Sequence, residues 1–94
     1  MATLLFLGAS VSQLAAIRYA RSIGHRVVAV DVDAEAVGFA YADVAECVDF
    51  ADVDGVVEVA RRWQVGGVLA VSSDRAVAPA AAVAENFPTT RSFY

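Results

Sequence analysis

The chain has 94 residues, enough for one domain with a modest core. Its composition is 59% apolar and 19% charged, and most of the apolar residues are Ala and Val, which suit helices packed closely on a sheet. The formal net charge of −4 and the dispersed arginines argue against nucleic acid, whose phosphates need clustered cations.

The run "TLLFL" (Thr3–Leu7) is apolar throughout and stops at Gly8, the pattern of a central parallel strand buried on both faces. From Gln13 the period changes. Gln13, Ala16, Ile17, Ala20, Ile23 and Gly24 share one helical face, while Arg18, Arg21 and Ser22 point away, and Gly24 is placed to end the helix. "RVVAVDV" (Arg26–Val32) reads as the second strand, with Asp31 near its C-terminal end. A weakly periodic stretch containing Gly38, Tyr41 and Asp43 follows and predicts a loop or short irregular helix. "ECVDF" (Glu46–Phe50) is expected as a short third strand. Asp52 or Asp54 can cap the next helix, whose inner stripe is Val56, Val59, Ala60 and Trp63, with Glu58 and Arg62 as an outer pair. "GGVLAV" (Gly66–Val71) is the fourth strand. Ser72, Ser73 or Asp74 then caps a last helix with Pro79 in its first turn and Val77, Ala80, Ala81, Ala84 and Phe87 on one face.

Strands alternating with helices imply a parallel sheet with right-handed crossovers. The expectation is an α/β domain over residues 1–86: half of a Rossmann-like fold, four parallel strands in order 3-2-1-4, helices on both faces. Residues 87–94 are expected to be an irregular tail. Ligands of such sheets bind at the C-terminal strand ends near the switch in strand order. Three polar spots fall there: the Gly8–Gln13 loop, Asp31, and the Ser72–Arg75 loop.

The loop "LGASVSQ" partly fits a dinucleotide fingerprint. Gly8 takes the first glycine place, but Ser10 and Gln13 stand in the other two, and a serine side chain crowds the approach of a pyrophosphate. Asp31 follows Gly8 by 23 positions, near where a ribose-binding acid sits in NAD domains. No Gly-Lys-Ser or Gly-Lys-Thr appears, so a Walker loop is excluded. Free N–H groups at the helix start, with the hydroxyls of Ser10 and Ser12, can hold an anion. Taken alone, Ser10 or Ser12 more readily suits simple capping of the helix. Asp31 likewise suits a ligand hydroxyl or amine, solvent, or a cap for the next turn; Asp74 and Arg75 suit the crevice, or a cap and a surface cation.

Cys47 is the only cysteine, so no internal disulfide can form, which fits a reducing cytoplasm; with no histidine nearby it reads as a buried thiol. His25, the only histidine, sits between a glycine and an arginine at a turn, and no metal site is expected. The N-terminus lacks a basic start, and no apolar stretch reaches the length of a membrane span. A cytoplasmic location with no membrane partner is the expectation.

Taken together, Gly8-Ala9-Ser10 with Gln13, then "GHRVVAVD", Ala42-Asp43, and "GGVLAVSSD" with Asp74 resemble the N-terminal, pre-ATP-grasp domain of ATP-grasp enzymes. Carbamoyl-phosphate-synthase-like and amino-acid-ligase-like members are the nearest in flavour. The resemblance covers roughly residues 3–86. It implies a carboxylate–amine ligase in which ATP and magnesium form an acyl phosphate that a nucleophile attacks. It also implies that this domain helps hold the substrate other than ATP. Gly8, Ala9, Ser10, Ser12 and Gln13 would then contact a small carboxylate or phosphate, with Asp31, Ser73 and Asp74 close by. The family's nucleotide clamp and magnesium carboxylates lie in later domains, so the chain is expected to be a fragment that carries no cofactor and is inactive alone. Phe87, Phe93 and Tyr94 in the tail motivate an expectation of self-association through uncovered apolar surface.

Overall fold

Thr3–Leu7 forms the first strand, β1, and its apolar run Leu4–Leu7 matches its position at the centre of the sheet. The computed structural model describes residues 2–70, 77–86 and 91–93, the last three and Val77 by their backbone alone. Helix α1 (Val11–Ser22) follows, then β2 (Arg26–Asp31), a single 3-10 turn (Val37–Tyr41), β3 (Val44–Cys47), α2 (Val53–Trp63), β4 (Gly67–Leu69), α3 (Val77–Asn86) and β5 (Arg91–Phe93). The strands are all parallel and run in the order β3-β2-β1-β4-β5. The expected order 3-2-1-4 is present, and a fifth strand extends it at the β4 edge.

Alternation along the strands divides the core in two. Leu5, Leu7, Val28, Val30 and Val68 pack with Val56, Val59 and Ala60 of α2 and Ala80 and Val83 of α3. Phe6, Val27 and Ala29 face the other way, onto Ile17 and Ala20 of α1, Ala36 just before the 3-10 turn and Phe39 within it. Helices therefore cover both faces. Fully burying a Leu, Val or Phe side chain is worth about 1.5–3 kcal/mol. The continuous burial of Leu5, Phe6 and Leu7 makes β1 the anchor of both layers.

Several expectations are corrected here. The third strand is Val44–Cys47, not Glu46–Phe50. Its start is pinned early, because Asp43 donates its N–H to the Val27 carbonyl while its carboxylate accepts the Val27 N–H. Helix α1 begins at Val11 rather than Gln13, since Ser10 is its cap, and Ile23 is 53% exposed rather than inward. Cys47 is exposed, not buried: β3 is the edge strand, and its alternate positions Ala45 and Cys47 face outward. Glu58 pairs with Arg61, one residue short of the expected partner, and Arg62 reaches across to Glu46 at 2.6 Å. The tail is not wholly irregular, because residues 91–93 find unused hydrogen-bonding groups on the open side of β4. Asp52 caps α2 through the Gly55 N–H at 3.1 Å, and Gly24, at φ +93°, follows the end of α1, both as expected.

Candidate functional site

The C-terminal strand ends are built around Gly8. Its φ of +111° lies where L side chains are strained, and the residue lets the chain leave β1 abruptly. Its N–H still bonds the Val30 carbonyl at 2.8 Å, one ladder step past β1. The next N–H, from Ala9, donates to Asp31 Oδ2 at 2.9 Å, and the Asp33 N–H donates to Asp31 Oδ1 at 2.9 Å. Ala9 is fully buried and Asp31 half-buried. Asp31 thus caps the next turn, one of the expected roles, and at the same time clamps the first loop to the end of β2, which was not expected.

Ser10 and Gln13 form a reciprocal cap. Ser10 Oγ accepts from the Ser12 N–H at 3.3 Å; Gln13 Oε1 accepts from the Ser10 N–H at 3.0 Å and from Ser10 Oγ at 2.7 Å. Gln13 is 4% exposed, and a Cβ placed on Gly8 would stand 3.1 Å from its Cδ and Oε1. In this loop Gln13 occupies space that a glycine leaves open in a dinucleotide site. Ser10 and Ser12 are exposed, and Val11 between them is 79% exposed.

Sequence reasoning missed the residue that closes the loop from behind. Gly38 donates its N–H to the Ala9 carbonyl at 2.6 Å, and a Cβ there would meet that oxygen at 2.7 Å and Ile17 Cδ1 at 2.9 Å. The only available signal was a glycine in a stretch with little period. Cys47 was also unforeseen at this edge. It is in register with Asp31, and its Sγ donates to the Val32 carbonyl at 3.3 Å.

The structure therefore brings together Gly8, Ala9, Ser10, Ser12, Gln13 and Asp31; Ser73 and Asp74, with the expected caps of α3, lie outside the described residues. Among the described residues no group of three or more His, Cys, Asp or Glu could hold a metal ion. Those residues therefore offer no ligand set that fits the magnesium of the resembled family. No helix among them is long and apolar enough to cross a membrane.

No protein-family model matches the chain, and no curated protein does. Solved structures do match. Phosphoribosylglycinamide synthetase from Anaerococcus prevotii superimposes with a TM-score of 0.79 at 22% identity, over 89% of this chain and 22% of that one. Glycinamide-RNase-transformylase T from Mycobacterium tuberculosis gives 0.78 at 25% identity, over 96% of this chain and 28% of that one. Both are ATP-grasp ligases, and the resemblance read from the sequence is found again in the fold. The chain spans about a quarter of their length. UDP-glucose-4-epimerase from Stenotrophomonas maltophila, with bound NAD, also matches, at a TM-score of 0.70 and 19% identity over 95% of this chain and 34% of that one.

Proposed function

From the fold shared with ATP-grasp ligases, we propose that this chain is the substrate-holding N-terminal unit of a carboxylate–amine ligase of that kind. It would hold the substrate that is not ATP and leave nucleotide chemistry to other domains. The observation that carries this reading is the Gly8–Gln13 loop, fixed by Asp31 and Gly38 beside the β1/β4 switch in strand order. Ser12 presents an exposed hydroxyl on the first turn of α1, where the helix dipole favours negative charge. A small carboxylate or phosphate group is the ligand class that suits this end. Ser10 supports it indirectly, since its hydroxyl is already held by Gln13.

A second reading is a nucleotide-binding Rossmann-like module. It is favoured by the placement of Asp31 after the loop and by the fold match to an NAD-bound enzyme. Calorimetric titration of the chain with amino acids, carboxylates, sugar phosphates, NAD and ATP–magnesium separates the two. Saturable binding of a small acid, weakened by Ser12→Ala and absent for NAD and ATP, supports the substrate unit. Binding of NAD alone overturns it in favour of the second reading, and silence across the panel overturns both.

A further inference from the structure

At the opposite end of the sheet lies an open depression of about 540 Å³, lined by Arg21, Gly24, His25, Arg26 and Asp43. We propose that it binds a small anionic oxyacid group, a phosphate or a carboxylate, independently of the loop at the other end. The charges there do not simply cancel. Asp43 is the one acid in the lining, and both its oxygens are engaged: Oδ2 accepts the Val27 N–H at 2.8 Å and Oδ1 pairs with Arg21 at 3.4 Å. The neighbouring acid, Glu46, is matched by Arg62 at 2.6 Å and accepts the Trp63 indole N–H at 2.8 Å.

That leaves Arg26 with no acidic partner among the described residues. It is held instead over the Trp63 ring, its guanidinium carbon 5.4 Å from the ring centroid. A guanidinium stacked on an aromatic face keeps its N–H edges open for a planar oxyanion. His25 supplies a second donor. Its Nδ1 accepts the Ala2 N–H at 3.0 Å, so in the neutral ring the proton sits on Nε2. Gly24 opens the wall, since a Cβ there would meet nothing within 4 Å. Arg26, with its unmatched guanidinium, and His25, with its imidazole N–H, both line this concave surface, and together they offer the donors an oxyanion needs.

The test is amide-resolved NMR of the full 94-residue chain, titrated separately with inorganic phosphate and with succinate at constant ionic strength. Saturable shifts of the Gly24, His25 and Arg26 amides and the Trp63 indole N–H are expected. Arg26→Gln should weaken binding roughly tenfold or more, and Arg26→Lys should recover only part, because an ammonium lacks the planar fork. Arg26 is exposed, so both variants are expected to fold, and their amide spectra check this directly. Tighter phosphate binding assigns the site to phosphate groups, and tighter succinate binding assigns it to carboxylates. Shifts that rise without saturation, meaning an adventitious ion only, overturn the proposal. So does an unchanged affinity in Arg26→Gln, or a first response at Ser10–Gln13.

Discussion

The two ends of the sheet use their polar side chains in different proportions. At the C-terminal end, side chains serve the backbone: Asp31 takes the Ala9 and Asp33 N–H groups, and Gln13 takes Ser10. At the N-terminal end, side chains also pair with each other, through Arg21 with Asp43 and Arg26 with Trp63, while Asp43 and His25 still take the Val27 and Ala2 N–H groups. The cause is the parallel topology. β1 and β2 leave their C-terminal ends through turns whose N–H groups need acceptors, while α1 and α2 end at the other side with arginines in their last turns. The first arrangement makes a stiff frame, and the second makes a charged surface with donors left over. Buried backbone bonds to a charged acceptor matter for folding, whereas exposed ion pairs matter little.

That contrast can be broken by mutation. The largest effect is expected for Gly38→Ala, where the new Cβ meets the backbone of Ala9 as well as the Ile17 side chain; a loss of about 3 kcal/mol, the upper end for overpacking, should appear in urea unfolding. Asp31→Ala removes the acceptor of a buried N–H and should cost about 2 kcal/mol by the same measurement. Ser10→Ala breaks the reciprocal cap and should cost about 1 kcal/mol, with fraying of the first turn of α1 seen in amide exchange. The other end should answer weakly. Arg26→Gln is expected to change stability by no more than about 0.5–1 kcal/mol, the worth of an exposed cation–π contact.

The smallest effect belongs to Glu58. The Arg61 guanidinium, hydrogen-bonded to it, holds its carboxyl below the ordinary value. A depressed folded value means that any stabilisation is present above the unfolded value and fades as pH falls through the folded one. The pair is exposed, so Glu58→Gln should leave the acid-unfolding curve unchanged within error. A clear shift in that curve would show that surface pairs carry more of this fold than the comparison of the two ends allows.

Much of the fold was legible because period and polarity agree. Continuous apolar runs marked β1 and β2, and Val56, Val59 and Ala60 marked the inner face of α2. The strand order followed from the alternation of strands and helices. The third strand was misplaced by two residues, because an edge strand is only half-buried and its pattern is faint. Cys47 was misjudged for the same reason: residue type says how often a thiol is buried, not which strand is left at the edge. At the candidate site, Gly8, Ser10 and Gln13 were legible as a strand-to-helix turn. The hydrogen bond from Gly38 to Ala9 was not, because it joins positions far apart in sequence through a backbone atom that no side-chain pattern reports.

The edge position of β3 also gives the molecule a built-in optical handle. Cys47 is the sole sulfhydryl in the sequence, it faces outward, and it stands beside Asp31 in strand register. A maleimide fluorophore would therefore attach at one place only, at the rim of the loop end and across the sheet from Arg26. Its emission would follow molecules arriving near Ser12 and stay dark to those settling against His25, so that one labelled preparation could time the two events separately.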